Sequence, residues 1–194
     1  MFVPFRVRGL ELANRVCVSP MAQYRAKDGT PNEWHSSHYA ERRQRRRWAG
    51  VYGNDLRFAG RPHLARMCRP LYASEHLNAW QRIVEFVHAE TDAKIAIQLG
   101  HSGAKGSTQL GWEESDAPLA TGNWPVLAPS AVAWSPQNQT PREMARADMD
   151  QIRDEFVRSA EMAARIGFDW LELHYAHGYL MSSFITAADQ QAHR

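Results

Sequence analysis

The chain has 194 residues, of which 44% are hydrophobic, enough for one domain with a sizeable core. With two cysteines the chain is not a disulfide-rich protein. It contains no apolar run near the roughly 18 residues that a membrane helix needs and no secretory signal. We therefore expect a cytoplasmic protein. The formal net charge of +2 is a local property, because nine of the 23 basic residues are arginines within residues 42–69.

The first half of the chain contains two predicted strands and one clear helix. Residues 2–12 alternate weakly and are expected to cover one end of the fold, and residues 16–20 form a short apolar strand. Residues 22–39 are a polar loop that enters a helix. Apolar residues then recur at helical spacing and predict a helix over 74–89. A strand follows at 94–99.

The second half begins with a loop over 100–139, a length that is unusual in a compact domain unless the loop serves a site. Residues 140–143 read as a capping box with proline at the first helical position. An apolar stripe then predicts a core-facing helix that ends at Gly167, formed by Met149, Ile152, Phe156, Ala160, Ala163 and Ile166. The run that starts at Trp170 and Leu171 predicts a buried parallel strand.

Residues 172–180, ELHYAHGYL, follow that strand and are the most informative stretch of the chain. They place His174, His177 and Tyr179 together at the C-terminal end of a strand, where α/β barrels carry their chemistry. Two imidazoles suit the stabilisation of an oxyanion, and a positioned phenol suits general acid catalysis. A structural role for the two histidines stays open. A metal role is disfavoured, because no third ligand, HExxH or paired CxxC accompanies the HxxH spacing.

Four segments of this sequence, in this order, resemble the old yellow enzyme family of flavin-dependent oxidoreductases. They are residues 12–21 (LANRVCVSPM), 94–105 (KIAIQLGHSGAK), 126–130 (VLAPS) with 141–144 (PREM), and 172–180. The resemblance implies an α/β fold of the (β/α)₈ type, a TIM barrel. At 194 residues the chain is short for a closed barrel, which typically needs ~250 residues. We therefore expect a partial barrel with about the first four βα units, in which residues 1–194 form the N-terminal portion of a single FMN-binding domain.

The resemblance also implies which residues bind the cofactor and the substrate. It assigns flavin contacts to Gln98, whose amide can donate and accept at the O2/N3 edge, and to the end of the first strand, which comprises Ser19, Pro20, Met21 and Ala22. Many relatives carry cysteine or threonine where this chain has Ala22, which places the flavin potential in question. His101 and Lys105 are weaker candidates for a flavin or phosphate contact, because Ala104 stands where many relatives have arginine.

The implied substrate site lies above the flavin. Tyr24 and the two histidines would bind a small-molecule substrate, His174 and His177 would polarise its carbonyl oxygen, and Tyr179 would deliver a proton. FMN is the implied cofactor, with NADH or NADPH as reductant. No GxGxxG follows a strand, so a Rossmann crevice is not indicated.

Residues 106–112 and 122–125 are more similar to one subgroup, the old-yellow-enzyme-like domain of the monooxygenases that act on salicylyl-CoA or anthraniloyl-CoA. The expected reaction is therefore the reduction of an activated alkene or dienone, with an aromatic CoA thioester as a candidate substrate. A fused or separate FAD monooxygenase domain and a homo-oligomer are the candidate partners.

Residues 42–69 do not display the second strand that the family pattern requires. We favour a shift of reading frame, which would also explain residues 187–194. Natural divergence and an arginine-rich RNA-binding arm are the alternatives, and we expect no nucleic-acid partner. A truncated or frame-shifted, non-catalytic fragment is thus the alternative to an active enzyme. For the chain as it stands, we expect weak FMN binding.

Overall fold

The fold is built from βα units around one pair of parallel strands. The computed structural model describes residues 2–43, 73–110, 112–113 and 117–186. In chain order its elements are β1 (Phe5–Val7), β2 (Leu10–Leu12), α1 (Glu33–Arg43), α2 (Ser74–Glu90), β3 (Ala96–Leu99), a 3₁₀ turn (Gly103–Lys105), β4 (Leu127–Ala128), β5 (Arg142–Glu143), α3 (Arg146–Ile166), β6 (Trp170–Leu173) and α4 (Leu180–Ser183).

Strands β3 and β6 pair in parallel, in register from Ala96 opposite Trp170 to Leu99 opposite Leu173. Side chains alternate along a strand, so Ile97 and Leu99 point to the face that the helices cover. There they join one hydrophobic cluster with residues of α1, α2 and α3. Gln98 lies on the opposite face. This arrangement confirms the expected α/β class and places the C-terminal ends of both strands side by side.

Helix α2 confirms the helix that the sequence predicts over 74–89. Its apolar stripe is buried in the core, and the stripe comprises Trp80, Ile83, Val84 and Val87. Trp80 is 1% exposed and lies between the rings of Tyr39 and Phe168, at centroid distances of 6.0 and 5.9 Å. Helices α1 and α2 are therefore anchored to the strands through one aromatic cluster.

Helix α3 ends as predicted but begins later than predicted. Arg142 and Glu143 are not a helical first turn; they form β5, which pairs in parallel with β4, so the capping-box prediction for 140–143 was wrong. The helix begins at Arg146, and the Asp148 carboxylate accepts a 2.8 Å hydrogen bond from the Ala145 N–H. The Arg142 guanidinium beside Asp148 lowers the pKa of that carboxyl to about 2. At the other end, Gly167 has a φ of 99° and closes the helix with hydrogen bonds to the last turn.

Two predictions about strands need correction. Residues 16–20 contain a single bridge residue, Cys17, and no strand. Strand β6 forms, but it is not fully buried: Leu171 and Leu173 are 39% and 44% exposed. These leucines are in register with Ile97 and Leu99 on the helix-covered face, and no helix in the described part of the chain covers them as α2 and α3 cover β3.

The N-terminal prediction agrees with the structure. Strands β1 and β2 form an antiparallel hairpin, and the cavity beneath it is lined by Asp169 and Trp170 at the start of β6. The hairpin therefore lies at the end of the strands opposite to the histidines. Most of the arginine-rich segment 42–69, where the family pattern requires a second strand that the sequence does not display, lies outside the described residues, as do residues 187–194. Among the helices that are described, none has the length and apolar character needed to cross a membrane.

Candidate active site

A cleft of about 480 Å³ lies at the C-terminal ends of β3 and β6. Its lining comprises Ser19, Pro20, Ala22, Tyr24, Gln98, Glu172, Leu173, His174, Tyr175, Ala176, His177 and Tyr179. Every residue of the predicted flavin-ring and substrate sites is in this list except Met21, and the two weaker candidates, His101 and Lys105, are absent from it as well. Met21 is 41% exposed and does not line the cleft, so its side chain does not converge with the others.

His174, His177 and Tyr179 form a compact cluster of rings. The His174 ring centroid lies 5.0 Å from that of His177 and 4.9 Å from that of Tyr179, and both contacts are edge-to-face. His174 Nε2 and His177 Nδ1 are 3.2 Å apart. Because His174 directly follows β6, its backbone N–H continues the parallel ladder with a 2.8 Å hydrogen bond to the Leu99 carbonyl. The end of the sheet thus positions the first ring, and the turn that follows brings the other two onto it.

The hydrogen bonds of His174 determine which of its nitrogens carries the proton. The Ala176 N–H donates to His174 Nδ1 at 3.3 Å, so Nδ1 is the acceptor and Nε2 carries the proton in the neutral ring. His174 Nε2 then donates to His177 Nδ1. His174 is buried, at 7% exposure, whereas His177 is exposed. The ring that faces solvent is therefore the one whose tautomer can adapt to a ligand.

Glu172 is a residue of this cleft that sequence reasoning did not assign. Gln98 and Glu172 are direct neighbours in the β3–β6 register, and Gln98 Nε2 donates a hydrogen bond to Glu172 Oε1. A carboxylate only accepts, so this bond fixes which end of the Gln98 amide faces Glu172. Partial burial raises the pKa of the Cys17 thiol, although the residue as a whole is exposed, and the negative charge of Glu172 raises it further. The position of Glu172, two residues before His174, was the signal in the sequence from which it could have been identified as a site residue.

The first-strand segment and the long loop meet at Tyr24. Tyr24 lines the cleft with a φ of 51°, and its ring makes an edge-to-face contact with Trp112, at a centroid distance of 5.3 Å. Trp112 belongs to the loop after β3, which the sequence predicted to serve a site. The structure therefore brings one aromatic residue of that loop to the rim of the cleft.

His101 and Lys105 lie outside the cleft. His101 Nδ1 accepts a 3.0 Å hydrogen bond from the Gly103 N–H and so supports the 3₁₀ turn. Lys105 Nζ donates to the His177 carbonyl. Among the described residues, no group of three or more His, Cys, Asp or Glu side chains is arranged to bind a metal ion.

Comparison with known proteins identifies the family. The model of the NADH:flavin oxidoreductase / NADH oxidase family matches residues 1–192. The chain belongs to this family. The NADH:flavin oxidoreductase FG08077 of Gibberella zeae is 33% identical over 98% of this chain and 47% of its own length. The NADPH dehydrogenase of Bacillus subtilis is 31% identical over 96% of the chain and 51% of its own length. The chain thus spans about half the length of these curated relatives.

Solved structures agree on the fold. Morphinone reductase in complex with tetrahydroNAD superposes with a TM-score of 0.82 at 22% identity, over 99% of this chain and 53% of its own. Old Yellow Enzyme from Pichia sp. AKU4542 gives a TM-score of 0.80 at 25% identity, over 100% of this chain and 50% of its own. The predicted old yellow enzyme family and partial TIM barrel are therefore confirmed. FMN with NADH or NADPH is confirmed as the cofactor set of the family.

Proposed function

We propose that residues 1–194 are the N-terminal portion of a single FMN-binding barrel domain, and that this portion carries the flavin-ring and substrate sites of an NAD(P)H oxidoreductase that reduces an activated alkene or dienone. The observation that carries the proposal is the His174–His177–Tyr179 cluster beside Gln98 in one cleft. The family match across residues 1–192 includes the arginine-rich segment and does not favour the alternative of a frame-shifted fragment.

The cleft fits the ring part of a flavin better than its phosphate. Its volume is within the range of about 300–1,000 Å³ that is usual for small-molecule sites. Gln98 offers an amide that donates and accepts, while Pro20 and Ala22 offer an apolar side. None of the described lining residues is lysine or arginine, so this cleft lacks the charge-assisted contacts that a phosphate prefers. Bound FMN would supply the hydride for the reaction.

The two histidines would bind the carbonyl oxygen of the substrate. His174 Nε2 already carries a proton, because Nδ1 accepts from the Ala176 N–H. An oxygen that arrives between the rings replaces the 3.2 Å contact between them, and His177 then donates from Nδ1 in its other tautomer. Two N–H donors converging on one oxygen stabilise the negative charge that develops there. Tyr179, edge-on to His174, would donate a proton to the α-carbon.

The first test separates ring binding from phosphate binding. The fluorescence of riboflavin, which lacks the phosphate, should be quenched on binding as that of FMN is. The Kd of riboflavin should lie within about a factor of ten of the Kd of FMN, a difference of about 1.4 kcal/mol in binding free energy. Both should bind weakly, because the ring alone is held. Replacing Gln98 by leucine should weaken both equally. Tight binding of FMN but not riboflavin would place the phosphate contact within this chain and contradict the proposed division.

The second test concerns the proton. In a flavin-loaded protein with these residues, Tyr179→Phe should slow reduction of 2-cyclohexenone by ~10²–10⁴-fold and leave flavin reduction by NADH or NADPH nearly unchanged. Tyr175→Phe is the matched control, because Tyr175 also lines the cleft but is 49% exposed. Equal losses in both half-reactions of the Tyr179 variant would contradict the assigned role.

The substrate itself stays a proposal. Aromatic CoA thioesters are the second probe after simple enones, because residues 106–112 and 122–125 are similar to the subgroup that acts on them. If the chain acts with that class, 2-cyclohexenone should be a poorer substrate than the thioester. The FAD monooxygenase domain, the homo-oligomer and the cytoplasmic location remain predictions.

A further inference from the structure

The turn that carries the ring cluster has an uncommon backbone conformation. His177 has a φ of 61° and Gly178 a φ of 70°, so two consecutive residues are in the left-handed region. A residue with a side chain is strained in this region and stays there only where its surroundings hold it. The contacts that hold His177 in this conformation therefore contribute to where its ring lies.

Lys105 contacts this turn although it does not line the cleft. Its Nζ donates a hydrogen bond to the His177 carbonyl at 3.3 Å. The same ammonium group lies 4.0 Å from the centroid of the Trp134 ring and 5.5 Å from that of Tyr179. Both distances are within the ~6 Å over which a cation is attracted to an aromatic face. One side chain thus links the turn to two aromatic rings, those of Trp134 and Tyr179.

Trp134 covers the other residue of the turn. A Cβ atom built on Gly178 would lie 2.8 Å from Cη2 of Trp134, closer than side-chain carbons approach one another. Gly178 is therefore required both by its φ and by the indole packed on it. Neither Lys105 nor Trp134 lines the cleft, although both belong to the long region between β3 and α3.

We propose that Lys105 and Trp134 are positioning residues, and that the cation held between the Trp134 and Tyr179 rings keeps the His177–Gly178 turn left-handed so that His177 and Tyr179 both meet the His174 ring. The catalytic consequence rests on the proposed function; the contact geometry does not. In this arrangement the loop after β3 sets the geometry of residues that follow β6.

The first experiment measures the ring contacts in the flavin-free chain. With histidine and tyrosine labelled for NMR, we expect NOE cross-peaks and ring-current shifts between His174 and Tyr179. Lys105→Met should abolish them, and Lys105→Arg should retain them, because arginine keeps the cation over the indole. Arg25→Met is the matched control, because Arg25 lies 4.9 Å from the Trp34 centroid in a similar exposed pair outside the cleft.

A second variant pair guards against loss of folding. Trp134→Phe keeps an aromatic face and should retain the NOEs, whereas Trp134→Ala should lose them with an unchanged far-UV CD spectrum. NOEs in the Lys105→Met protein that match those of the Arg25 control would overturn the proposal. So would loss of the contacts in Lys105→Arg together with Lys105→Met, because charge would then not be the cause.

The flavin-loaded protein provides the link to chemistry. Lys105→Met should lower kcat for enone reduction and leave flavin reduction by NADH unchanged, with recovery in Lys105→Arg. If the unmodified protein does not reduce enones at all, the proposed function fails while the NMR result still decides the positioning role. If it does, and Lys105→Met alters KM alone, the positioning role is contradicted.

Discussion

Replacement of Glu172 tests the hydrogen bond that orients Gln98. Gln98 is 8% exposed and its Nε2 donates to the Glu172 carboxylate. Glu172→Leu leaves that buried donor without its acceptor, which costs about 1–3 kcal/mol. For a chain of this size each kcal/mol shifts Tm by roughly 2–4 °C. Glu172→Gln keeps an acceptor oxygen, so its free energy of unfolding should fall by less than about 1 kcal/mol.

Urea denaturation followed by far-UV CD measures these differences, with a constant m-value as the check on two-state unfolding. Glu161→Leu, on the exposed face of α3, is the control and should stay within about 0.5 kcal/mol. Riboflavin binding separates stability from orientation. The Glu172→Gln protein should be stable yet bind riboflavin more weakly. A glutamine side chain at position 172 can both donate and accept, so the Gln98 amide no longer has to present its nitrogen to it. Equal stability of the leucine and glutamine variants would refute the reasoning.

Three further predictions concern Cys17, His35 and Trp80. Glu172→Gln should move the pH profile of Cys17 alkylation by iodoacetamide to lower pH, yet not below the ordinary thiol value of 9.0, because burial is the larger cause of the raised pKa. Burial lowers the pKa of His35 from 6.5 to about 4. The neutral ring therefore stabilises the fold fully above pH 6.5, and the free energy of unfolding should fall by on the order of 3 kcal/mol as the pH drops to about 4. In urea titrations, His35→Asn should flatten this dependence on pH. Trp80→Phe should lower the free energy of unfolding by less than about 1.5 kcal/mol, because the indole N–H that it removes has no acceptor among the described residues. Trp80→Ala, which leaves a cavity in the core, should lower it by about 3–5 kcal/mol. Equal losses in the two variants would contradict this.

Local sequence patterns predicted those elements for which the pattern lies entirely within the element. The apolar spacing of α2, the stripe of α3 and the glycine that ends it depend on residues three or four positions apart, which a helix places on one face. The ring cluster belongs to the same class: its first and last members, His174 and Tyr179, are five positions apart, so order along the chain keeps them in one short segment after β6. Its place at the C-terminal end of β6 therefore followed from order along the chain.

Contacts between distant segments were decided only by the tertiary structure. Gln98 and Glu172 are 74 positions apart, and Lys105 reaches the carbonyl of a residue 72 positions away. Arg142 and Glu143 carry a helix-start pattern, but pairing with β4 supplies backbone partners and delays the helix to Arg146. A periodic pattern states which face of an element is apolar, and it does not state which strand lies beside it or in what register. That register aligns Gln98 with Glu172 and brings the loop after β3 against the turn after β6, because both strands run parallel and end at the same edge.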